Sequence, residues 1–183
     1  MSKHRQTQGQ QTEPTQAERG SEAEKNFGLE RLVFFSDAVF AIAITLLALD
    51  IRIPNMEEIH GDAELRRALL SLWPQYFAYM LSFLVIGASW ANHHRRFGMI
   101  RRYDRTLIFL NLLLLMAIAF VPFPTSVLAE FGNQTAVTLY ALTMAAAALM
   151  SGLGWWYAIY HNRLVDASLA RQYEGIGLSL IHI

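Results

Sequence analysis

The sequence predicts an all-α, polytopic membrane helix bundle with four spanning helices and a cytoplasmic N-terminus. Three observations lead there. Hydrophobic residues make up 54% of the 183-residue chain and mean hydropathy is +0.25, both above the norm for soluble globular domains. Four apolar stretches reach the length that a hydrocarbon core about 30 Å thick demands at about 1.5 Å per residue. Between the second and third lies HHRRFGMIRRYDR, with five arginines against one aspartate, which the positive-inside rule assigns to the cytoplasm.

Residues 1–28 are rich in Gln, Glu, Ser and Thr and are expected to be a disordered cytoplasmic tail, since they hold no apolar block to offset the entropy of ordering. They lack the basic start, apolar centre and small-residue cleavage site of a signal peptide, so the first apolar segment is expected to stay as an uncleaved anchor. A transmembrane domain is expected over 29–160. Its first helix, about 31–53, reaches that length if Asp50 and Arg52 snorkel at its end. The second covers about 68–95. The third, about 104–129, carries Pro122 and Pro124, which should kink or stop it. The fourth, about 134–160, follows a turn around Asn133 to Thr135 and holds no charge. Residues 161–183 are expected to form a cytoplasmic linker and the start of a fifth helix, cut short at GLSLIHI.

Charge and cysteine content exclude several functions. Basic and acidic residues number 15 each, which gives no ground for a nucleic-acid partner. The chain has no cysteine, so disulfides, thiolate metal sites and cysteine nucleophiles are closed to it. His93 and His94 are adjacent and diverge by about 100° on a helix, a poor arrangement for one metal ion. No GxSxG elbow is present, and Gly152 to Gly154 lie inside an apolar span without the Lys of a phosphate loop. Those glycines suit a close helix contact instead, together with Ala141, Ala145 and Ala148.

The first helix raises the central question, because Asp37 sits just inside a span where an ionised group is costly unless paired. In the four-span topology the start of the first helix and the end of the second lie at one depth. Asp37 can therefore meet Trp90, Asn92, His93 or His94, with Ser36 adding a hydroxyl beside it. Such a network could be a structural anchor or a proton relay, and the residues alone do not choose. A second face of the same helix is formed by Ile42, Thr45, Leu46 and Leu49 at i, i+3, i+4 and i+7, extended by Phe35 and Ala38. Asp37 is rotated from Ile42 by about 140°. By periodicity that apolar face suits lipid or a packed core.

Residues Arg31 to Asp37, RLVFFSD, with the following AVFAIAITLLALDIRIP, closely resemble the signature helix of the lysosomal and endosomal potassium channel family, transmembrane protein 175, in its bacterial branch. WPQYFAYMLSFLVIGASWANHHRRF resembles that family's second helix and LLLLMAIAFVPFPTSVLAE its third. The resemblance implies a potassium-permeable channel in the bacterial cell membrane, not an enzyme, built from six-helix subunits of which four surround a pore lined by the first helix. It implies a hydrophobic constriction at Ile42, Leu46 and Leu49, a hydroxyl ring at Thr45, and a network of Arg31, Phe35, Ser36, Asp37, Trp90, Asn92, His93 and His94 that fixes the helix. Potassium ions, the lipid bilayer and further copies of the chain are the partners implied. No cofactor is implied, and no metal beyond potassium in transit. Relative to that family pattern, helices five and six are expected to be missing. No TVGYG-like segment is present, so a carbonyl cage is not the expected filter. A proton-linked transporter and a non-conducting membrane scaffold are the alternatives.

Overall fold

The computed structural model describes residues 16–53, 59–160 and 164, the side chains of 17–26 aside. Among these residues there is no strand, and six helices follow one another: α1 (Gln16–Leu49), α2 (Asp62–Ser71), α3 (Trp73–Phe97), α4 (Arg105–Phe120), α5 (Pro122–Phe131) and α6 (Gln134–Ile159). The rest of the expected tail, and all of the expected linker and fifth helix except Leu164, lie outside the described residues.

Helix α1 differs from the sequence-based expectation at both ends. Residues 16–28, expected as disordered tail, are helical. The stretch QAERGSEAEKNFG is dominated by good helix formers, and the apolar span below it already provides a nucleus, so each added residue meets only the small cost of propagation. At the other end α1 stops at Leu49, not 53. Asp50 to Ile53 leave the helix, and the Arg52 amide donates to Gln75 Oε1 at 3.1 Å.

The second predicted helix, expected from 68, is a bent pair. α2 and α3 meet at Leu72 with a 45° change of direction. Pro74 sits in the first turn of α3, where its missing N–H is no loss; in a continuous helix its ring would clash with the turn before it. The α4–α5 pair behaves more mildly at Pro122 and Pro124, and Arg105–Phe131 still forms one apolar span. Gly132 then adopts φ 55°, the left-handed turn that suits glycine. The Ala136 amide donates to Asn133 Oδ1 at 2.9 Å and caps α6. Phe27–Leu49, Arg105–Phe131 and Gln134–Ile159 are each long and apolar enough to cross a membrane, and the bent α2–α3 pair makes a fourth.

α4 packs against α1 and α6, α3 against α1 and α5, and α5 against α6. The main core joins Phe40, Ala43 and Leu47 of α1 to Ile86, Leu115, Ile118 and Ala147. A second core lies at the end of the bundle that carries the α3–α4 loop, where Phe97, Ile100, Leu107, Ala158 and Leu164 meet. There Asp104 caps α4 by accepting from the Leu107 amide at 2.8 Å, and it also accepts from the Tyr157 hydroxyl at 2.5 Å. Gly28 leaves room for the Tyr103 side chain, which a Cβ at that position would overlap. Within the chain, Ala141, Ala145, Ala148 and Gly152 are exposed and Gly154 is half-buried, while Ala136, Thr143, Ala147 and Ala158 are the buried residues of α6.

Candidate functional site

Two faces of α1 have separate surroundings. Ser36, Phe40, Ala43 and Leu47, at i, i+4, i+7 and i+11, form its buried stripe. Rotated from that stripe by roughly 90–150°, Ile42, Leu46 and Leu49 are 58%, 41% and 68% exposed. Thr45 lies among them, also exposed, and its hydroxyl donates to the Ile42 carbonyl at 2.8 Å. That bond commits the hydroxyl proton to the backbone, so the oxygen is what Thr45 offers outward.

Near the loop end, polar side chains tie α1 to its neighbours. The Ser36 hydroxyl donates to the Leu32 carbonyl at 2.9 Å and accepts from Asn111 Nδ2 of α4 at 2.9 Å. Asn111 Oδ1 lies 2.9 Å from His93 Nε2 of α3. All three side chains are buried. The His93 ring stacks on Phe97 at 4.3 Å between centroids and tilts against Phe40 at 5.4 Å. On the flank of α1, Trp90 Nε1 donates to Asp37 Oδ1 at 2.8 Å, and the Trp90 ring lies 5.6 Å from His94.

Of the residues singled out from the sequence, Ser36 and His93 share one network through Asn111, and Asp37 is paired with Trp90. Asn92 and His94 are exposed, His94 beside the Trp90 ring. Phe35 is 52% exposed and belongs to the outward face. The Arg31 guanidinium lies 5.9 Å from the centroid of Phe27, and α1 runs on through it. Sequence reasoning missed Asn111, although one amide within TLIFLNLLLLMAIAF is a strong signal, since a polar group among lipid-facing residues needs a partner. It also missed a second buried cluster, in which Ser82 Oγ lies 2.8 Å from Thr125 Oγ1 and 3.2 Å from Tyr140 Oη, joining α3, α5 and α6.

These features can be set beside known proteins. Residues 31–122 match the family profile described as endosomal/lysosomal potassium channel TMEM175. A protein of Streptomyces collinus named a potassium channel is 47% identical over 150 residues, 77% of this chain and 71% of that protein. The chain belongs to the TMEM175 family. A protein of Chamaesiphon minutus, also named a potassium channel, is 42% identical over 165 residues, 82% of this TMEM175-family chain and 80% of its own length. The crystal structure of a TMEM175 homolog from Chamaesiphon minutus, described as a lysosomal potassium-selective channel, superimposes with a TM-score of 0.68 at 41% identity and covers 84% of each chain. The human protein, named an endosomal/lysosomal proton channel, is 28% identical over 144 residues, which are 78% of this chain and 28% of the human one.

Proposed function

We propose that the chain is a subunit of a potassium-conducting channel, in which four copies present the Ile42, Thr45, Leu46 and Leu49 face of α1 to a shared central pore. The observation that carries this reading is the exposure of that face, opposite the stripe by which α1 joins its own bundle. Family membership and the potassium channel relatives support the ion. In this arrangement Ile42, Leu46 and Leu49 succeed one another over about 10.5 Å of helix and form the constriction. Arg95, Arg101 and Arg102, all exposed near the α3–α4 loop, support a cytoplasmic position for that end by the positive-inside rule.

The mechanism rests on dehydration. A narrow ring of Ile or Leu side chains replaces none of an ion's water, so passage favours the cation that sheds water at lower cost, K⁺ over Na⁺. Closure of the same ring stops conduction by dewetting. The Thr45 oxygen, with its proton committed inward, partly replaces the lost hydration. Arg31, Ser36, Asp37, Trp90 and His93 position the helix.

The test is K⁺ and Na⁺ flux into liposomes reconstituted with the chain, with Ile42→Asn and Thr45→Val beside it. The channel reading expects K⁺ preference, a higher leak through Ile42→Asn and weaker discrimination in Thr45→Val. Unchanged selectivity and flux in both variants would remove the assignment of the constriction, and absence of any flux would favour a non-conducting scaffold. Proton permeation is the second reading, favoured by the names of the animal relatives. It predicts flux driven by a pH gradient in the absence of K⁺.

A further inference from the structure

The hydrogen bonds around Asn111 have a direction that can be read from one end. A carbonyl only accepts, so the single hydroxyl proton of Ser36 is spent on Leu32 O, 2.9 Å away. Ser36 Oγ must then accept from Asn111, which turns the Nδ2 end of the amide toward it. The remaining end, Oδ1, faces His93 Nε2 at 2.9 Å, and an amide oxygen accepts only from a nitrogen that bears hydrogen. In its neutral form the His93 ring is therefore the Nε2–H tautomer, whose Nδ1 carries a bare lone pair.

That lone pair is buried. His93 is 3% exposed, and its Nδ1 has no hydrogen-bond partner among the described residues, an unfavourable state for a buried acceptor. Beside the ring, between α3, α4 and α6, is a cavity of about 30 Å³ lined in part by His93, Arg96, Asn111 and Ser151. A water needs about 10–15 Å³ by the same measure and two to four polar partners. Arg96 Nη1 donates to Ser151 Oγ at 2.8 Å and to Ser151 O at 3.1 Å, so the Ser151 hydroxyl keeps its own proton to give. The guanidinium has further N–H groups beyond Nη1. The cavity thus borders the ring that carries the acceptor and the two side chains that carry the donors.

We propose that one water molecule occupies this cavity and donates to His93 Nδ1, held in turn by Arg96 and Ser151. The water closes a polar chain that runs from the Leu32 carbonyl of α1 through Ser36, Asn111 and His93 to Ser151 of α6. It holds the ring in the tautomer that keeps Asn111, and through it Ser36, in place. The inference is independent of ion conduction, because its readout needs no flux.

The test is magic-angle-spinning NMR of the ¹⁵N-histidine-labelled protein in bilayers, in mildly alkaline buffer, with His93→Gln used to assign the ring. The expected spectrum has a protonated Nε2, a bare Nδ1, and magnetisation passing from water protons to Nδ1. Ser151→Val, which removes the hydroxyl and fills space, should abolish that transfer while Nε2 stays protonated. A ring protonated at Nδ1 would overturn the proposal, since the chain of bonds would then run the other way. Absence of transfer from water in the wild type, or its persistence in Ser151→Val, would overturn it as well.

Discussion

Replacing Asn111 by leucine keeps nearly the same volume and removes both ends of the bridge between α1 and α3. Ser36 loses the donor at 2.9 Å but keeps its bond to Leu32 O, so this side costs little more than one interhelical hydrogen bond, about 0.6 kcal/mol on average within membranes. The His93 Nε2–H fares worse, because the ring is buried and a stranded buried donor costs about 1–3 kcal/mol. The leucine recovers little, since lipid is as apolar as the site and no hydrophobic gain separates the two. Together these give a loss of roughly 1.5–3.5 kcal/mol. Denaturation of the detergent-solubilised protein by SDS, followed by the fluorescence of its four tryptophans, measures it. Asn92→Leu is the control, on an exposed residue, and should fall within about 0.5 kcal/mol of wild type. If Asn111→Leu is as mild as Asn92→Leu, the buried network does not hold the bundle together and the reasoning fails.

Trp90→Phe removes the 2.8 Å bond to Asp37; with Trp90 40% exposed in the chain, solvent screening limits the loss to about 1 kcal/mol, measurable by the same unfolding assay. Asp104→Ala removes a helix cap and the acceptor of Tyr157 together, for an expected loss of about 2–3 kcal/mol. Asp104→Asn, which can still cap, should lose less than half of that, and equal losses would count against a capping role.

How far the sequence exposes this structure depends on whether a feature is local. The limits of α6 are legible because Gly132 and Asn133 are turn and cap residues beside a long apolar run. Pro74 is equally visible, but whether it bends a helix or begins one depends on the polar α2 segment before it, which buries nothing. The start of α1 is obscured because tail-like composition and helix-forming composition overlap in QAERGSEAEK. At the site, equal depth brings Asp37 to the level of Trp90, yet it cannot rank Asn92 against His93. Those neighbours differ by about 100° around α3, and only the position of α4 decides which one is buried. Asn111 pairs with residues 75 and 18 positions away, a distance over which no periodicity reports.

Ser36 and Asp37 together constrain α1 more than either bond suggests. They are adjacent, so their side chains leave the helix about 100° apart. One is tied to α4 through Asn111 and the other to α3 through Trp90. Apolar packing in lipid resists rotation weakly, because hydrocarbon on the other side makes comparable contacts, whereas a polar tie has no substitute there. Two ties in different directions therefore set the rotation of α1, and with it the direction of Ile42, six residues or about 9 Å further along. Because the chain has no cysteine, single substitutions Ile42→Cys, Thr45→Cys and Leu46→Cys can be compared with Ala43→Cys and Leu47→Cys using a water-soluble thiol reagent on the reconstituted protein. The first three should react and the last two should be protected. Adding Ser36→Ala with Trp90→Phe should blur the contrast by letting the helix turn. A contrast that survives the loss of both ties would show that packing alone orients α1, and the polar network would then have no part in presenting this face.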